Sequence, residues 1–107
     1  MRRWVAIAVG FFVLGSAPAL AQNEGDRVAG RMLAEEVCAE CHAVLAEQFI
    51  IPNVDASHFA DIANSPGITA LALRVILQSS HEKMPNIVLT PKQTNDIIDY
   101  ILSLKGK

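Results

Sequence analysis

Basic residues are scarce in this chain. Nine Lys and Arg stand against eleven Asp and Glu, a formal charge of −2. Nucleic-acid binding needs a basic patch or stripe, so that class has no support here. Strand signals are also missing: no stretch alternates apolar and polar residues convincingly, and there is no internal repeat. Cysteine is confined to Cys38 and Cys41. A bridge across so short a spacing closes a tiny loop and restrains the unfolded chain little, so the pair is poorly placed as a structural staple.

One long apolar run stands apart from the rest. Met1-Arg2-Arg3 is a positive start, Trp4 to Leu14 is apolar except for Gly10, and Ser16 to Ala21 ends in small residues around Pro18. This three-part layout predicts a secretory signal over residues 1–21, cleaved after Ala21. The alternative is an uncleaved helix that anchors the protein to the inner membrane facing the periplasm, since Trp4 to Ala21 is just long enough to cross a bilayer. Cleavage leaves residues 22–107 as one domain. Seven basic residues then face eleven acidic ones, a balance of −4. A domain this small has a thin core and is commonly reinforced by a covalent or metal clamp.

The remaining pattern is helical throughout, which makes the fold class all-α. A first helix is expected from Asp26, with Val28, Met32, Leu33, Val37 and Cys41 as its apolar stripe and Gly30 in its interior. Glycine costs about 1 kcal/mol at such a position, so close approach of another helix is expected there. A short helical segment over Asp55–Ala63 turns Phe59 and Ile62 inward. Ser65-Pro66 reads as the N-cap and first position of a helix through Ile68–Gln78, which is apolar nearly all round and is expected to be buried on more than one side. Thr90 and Gln93 form a capping box, with Pro91 at the first helical position. Ile97, Ile98, Tyr100, Ile101 and Leu104 give that last helix its apolar face, and Gly106 is its expected C-terminal cap.

Chemistry concentrates in Cys38-Ala39-Glu40-Cys41-His42. Two cysteines three apart with histidine directly after are the attachment signature of c-type haem. Residues at i and i+3 of a helical turn share a face, so both thiols can reach the two vinyl groups on one haem edge. His42 follows closely enough to bind the iron axially. Low-spin iron that shuttles one electron wants two strong axial ligands, and a thioether as the second raises the potential.

With this pentapeptide early, Met84-Pro85 on a late loop and a helix at each end, the chain resembles the small monohaem class I cytochromes c over nearly all of Asp26–Lys107. In that family a glycine eight residues before the first cysteine lets the terminal helices cross, and Gly30 stands there; Tyr100 matches the aromatic residue that meets the crossing. The resemblance implies that Met84 is the second axial ligand and that the Pro52 carbonyl accepts a hydrogen bond from the His42 ring. It also implies one covalent haem c as the core and a periplasmic one-electron carrier, not an enzyme, that exchanges electrons with redox protein partners. Two departures stand out: Ala34 occupies a position the family usually fills with an aromatic residue, and in place of the lysine ring that mitochondrial members carry around the haem edge this chain has only Lys83 and Lys92.

Rival readings keep their place beside these. Met32 is the other sulfur, read as core. His81 is an alternative axial ligand. His58 is expected to be solvent-exposed or hydrogen-bonded, without a catalytic role. Tyr100 is open to a propionate hydrogen bond as well as to core packing. Glu35, Glu36 and Glu40 read as a solvated helix face. A haem enzyme or gas-binding protein with an open sixth position, a haem subunit of a larger oxidoreductase, and a thiol–disulfide exchanger using Cys38 and Cys41 are the competing functions; the last lacks the βαβ context of such folds.

Overall fold

The computed structural model describes residues 10–12, 14–16, 25–79 and 83–107. Helix α1 spans Arg27–Leu33 and starts where the Asp26 carboxylate accepts from the backbone N–H groups of Val28 and Ala29. It runs on as a π turn over Ala34–Cys38. Helix α2 is Phe59–Asn64, α3 is Ala70–Gln78 and α4 is Pro91–Ser103. The predicted capping box at Thr90 and Gln93 is formed on both sides, at 2.9 and 3.1 Å.

Helix α4 is the floor on which the other helices rest. Its inward residues Ile97, Ile98, Tyr100 and Ile101, followed by Leu104, are buried and cluster with Ala34, Val44, Phe59, Ala63 and Leu73. The α1–α4 crossing passes through Gly30, as its spacing predicts. A Cβ there would run into the backbone of Asp96 and lie 2.9 Å from the Cβ of Tyr100. A second close approach lies one turn earlier. The Gly25 N–H donates to Asp99 (2.9 Å) and the Asp26 N–H to Asp96 Oδ1 (2.8 Å), so two α4 carboxylates hold the start of α1.

Several expectations need correction. Val28 and Met32 are 69% and 66% exposed, so Met32 is not core. The buried face of α1 is Gly30 and Ala34, because close crossing selects small residues rather than the most apolar ones. Ser65 does not start the third helix. It ends α2, its hydroxyl donates to the Asp61 carbonyl, and Gly67 turns the chain at φ 75° before Thr69 caps α3. Helix α3 is not buried on several sides: Leu73 is buried, but Leu71 and Val75 are 71% and 55% exposed. The segment expected over Asp55–Ala63 becomes helical only from Phe59, though Phe59 and Ile62 do pack inward. Leu104 is the C-cap of α4, with Gly106 two residues beyond at φ 81°. His81 and most of the expected signal segment lie outside the described residues.

Candidate haem site

A cavity of about 580 Å³ opens between the turn after α1, the 53–57 loop, α3, the Met84 loop and α4. Phe59, Ile62, Leu73, Ile76, Leu77, Ile97 and Ile101 give it an apolar wall. Cys38, Cys41, His42 and Met84 all line it. The sequence therefore brings together, from two stretches more than forty residues apart, the four side chains singled out for haem. The turn that presents the first three is held by the N–H of His42 on the Cys38 carbonyl (2.9 Å).

Both cysteines are half-buried and unbridged. Burial pushes the Cys38 thiol up to about 11. Thiolate, the species needed for disulfide exchange, is then scarce at neutral pH.

Pro52 is where expectation and structure part. It is exposed and does not line the cavity. The His42 ring instead places Nδ1 2.7 Å from the carbonyl oxygen of Ser57. A carbonyl only accepts, so Nδ1 carries the proton and Nε2 is left as the nitrogen free to bind metal. Pro52 was expected because the family resemblance implies a proline carbonyl as the acceptor for the axial histidine ring. The chain closes differently: the Asn53 N–H is tied to the Cys41 carbonyl (3.0 Å), and the 53–57 loop then brings Ser57 to the ring.

The segment after His42 is anchored carbonyl by carbonyl. Ala43 O accepts from the Phe59 N–H at 2.9 Å, Val44 O from the Tyr100 hydroxyl at 2.6 Å, and Leu45 O from His58 Nε2 at 2.7 Å. Tyr100 is thus committed to Val44 rather than to a propionate. The aromatic partner that residue 34 lacks is supplied from elsewhere: the Phe59 ring lies 6.5 Å from Tyr100 and 5.3 Å from His42. Neither Ser57 nor His58 was singled out for this role from sequence. The available signal was a histidine directly before a helix, where a capping side chain is usual.

Around the mouth, Glu40 is exposed, and Lys83 meets Asp55 at 3.4 Å across two loops. A second hollow of about 440 Å³ shares Cys38, Leu77, Met84 and Pro85 with the first, so the Met84 loop has open space on more than one side. Glu35 and Glu36 are exposed and Glu35 pairs with Arg31, as expected of a solvated face.

Residues 28–105 match the Cytochrome c family. The chain belongs to this family. It is also 36% identical over 90 residues to cytochrome c-552 of Bradyrhizobium diazoefficiens, covering 84% of this chain and 83% of that one. No solved structure gives a significant match. As a cytochrome c, the protein carries covalently attached haem c, has the all-α class I fold and serves haem-based electron transfer with redox partners. The cavity suits that group: it is apolar, of cofactor size, and edged by two unbridged thiols and an imidazole with a defined tautomer.

Proposed function

We propose that this cytochrome c is a one-electron carrier in which Cys38 and Cys41 hold haem as thioethers, and His42 and Met84 ligate its iron. The observation that carries this reading is the convergence of all four side chains on one apolar cavity while the thiols stay unbridged. Each thiol adds its S–H across one vinyl group, sulfur to one carbon and hydrogen to the other, so attachment needs no oxidant or reductant. Bound haem supplies the one-electron Fe(III)/Fe(II) couple. His42 donates its Nδ1 proton to Ser57 O, which fixes the ring and raises the basicity of Nε2. Met84 supplies a soft thioether that favours Fe(II). The wall from Phe59 to Ile101 excludes water, which limits rearrangement between the two oxidation states.

Residues 1–21 act as the secretory signal, and residues 22–107 are the mature periplasmic domain, where c-type haem is attached. Among the described residues no helix is long and apolar enough to cross a membrane. Docking to donor and acceptor is brief and is guided by the acidic balance of the mature chain, so exchange rates vary with ionic strength.

Expression in a maturation-competent host tests this directly. A pyridine haemochrome spectrum of two-thioether haem, a mature N-terminus at Gln22, and a near-infrared iron–methionine charge-transfer band in the ferric protein are expected. Met84→Ala removes that band. A folded ferric holoprotein without it would overturn Met84 ligation, leaving either His81 as the second ligand or the open sixth position of a gas-binding or enzymatic haem.

A further inference from the structure

We infer that His58 is a positioning residue for the axial histidine: it locks the peptide unit whose carbonyl receives the His42 proton, and so tunes the haem potential. The inference rests on the proposed ligation by His42.

The carbonyl that His42 addresses belongs to Ser57, and that C=O is part of the same rigid peptide plane as the backbone nitrogen of His58. Its direction is set by whatever holds the two residues that follow. Both are held. The Phe59 N–H donates to Ala43 O at 2.9 Å, and the His58 ring donates from Nε2 to Leu45 O at 2.7 Å. Both of these acceptors lie within three residues of His42. The two histidines therefore brace each other reciprocally, each ring on a carbonyl next to the other's segment.

The bond being braced needs support. Ser57 is exposed, so water competes for its carbonyl, whereas the His58–Leu45 bond is partly buried. His58 also occupies the N-cap of α2 without capping it: its side chain makes no hydrogen bond to the helix. Serine or aspartate would serve the helix better at this position. The side chain is committed to Leu45 instead, across thirteen residues, which helix stability alone does not explain.

A strong Nδ1–H···O bond gives imidazole part of the character of imidazolate and favours Fe(III); a loosened one favours Fe(II). His58→Ser therefore separates positioning from structure. Serine caps α2 and keeps the fold stable, but releases Leu45 O. The expected result is an upward shift of the midpoint potential and faster solvent exchange of the His42 Nδ1 proton by NMR, with the iron–methionine band retained. His58→Gln, whose amide can still donate to Leu45 O, should restore both readouts towards the parent values. Unchanged potential and exchange in a folded His58→Ser protein would overturn the inference, as would a shift in His58→Gln as large as in His58→Ser. Failure of the ligation itself would be seen separately, as a parent holoprotein whose NMR spectrum lacks an iron-bound His42 ring.

Discussion

The two sides of the cavity are built differently. On the His42 side, four carbonyls between Cys41 and Leu45 each have a named donor, and the ring itself is tied to Ser57. Tyr100 links that side to the α1–α4 crossing, since its Cβ faces Gly30 and its hydroxyl holds Val44. On the Met84 side, an exposed ion pair from Lys83 to Asp55 spans the mouth, hollows adjoin the loop, and Pro85, Asn86 and Val88 are exposed. The histidine is thus prearranged by the polypeptide. The methionine loop would depend more on the proposed iron–sulfur bond for its position. Local stability follows anchoring and burial in this way, so the methionine side is expected to open first.

The largest effect is expected where the anchored side meets the helix crossing. Gly30→Val places side-chain atoms in the backbone of Asp96 and should destabilise the holoprotein by about 3 kcal/mol or more, or prevent its accumulation. Denaturant unfolding within about 1 kcal/mol of the parent would show that the crossing can spread, and that the anchoring is looser than it looks. Tyr100→Phe comes next. It leaves the buried Val44 carbonyl without its donor, for a loss of about 1–3 kcal/mol, while the iron–methionine band persists because the other side is untouched.

Acid should also weaken the anchored side. The Asp96 carboxyl is held below the usual carboxylate range, chiefly by the Lys92 ammonium at 2.7 Å and also by the Asp26 N–H, although burial opposes this. A group with a lowered folded-state pKa adds stability above its unfolded value, which is lost as pH falls from about 4 through the folded value. Asp96→Asn should therefore be less stable than the parent near neutrality, with the gap closing in acid. A gap in unfolding midpoint that stays constant down to about pH 3 would contradict this. The smallest effect is expected at the mouth. Lys83→Ala breaks an exposed pair and should change stability by less than about 1 kcal/mol. Binding of exogenous imidazole in place of Met84 should tighten by less than about tenfold, with the difference fading at high salt. A larger gain would mean that the loop is tied down mainly by this pair.

Legibility from sequence divides along chemical lines. Cys38, Cys41 and His42 act through covalent spacing, which the chain states outright, and Thr90-Pro91 with Gln93 is a local capping pattern that needs no distant partner. Gly30 was legible because only a close crossing explains glycine inside a helix. Met84 was singled out through the Met-Pro resemblance, and it lines the cavity. By contrast, Met32 and Val28 misled because periodicity reports an apolar stripe but not which stripe meets a neighbour; here Gly30 and Ala34 did, being small. Ser65-Pro66 imitated a helix start, yet Gly67 at positive φ delays the helix to Thr69.

The amino-acid sequence by itself determined the cofactor chemistry, the helical class and the starts of the first and last helices, because each rests on residues within a few positions of one another. Only the tertiary structure decided that the His42 ring meets Ser57 rather than Pro52, that His58 reaches Leu45, and that Tyr100 turns to Val44. Those choices depend on where loops far apart in sequence come to rest, and any exposed carbonyl is chemically eligible until packing selects one.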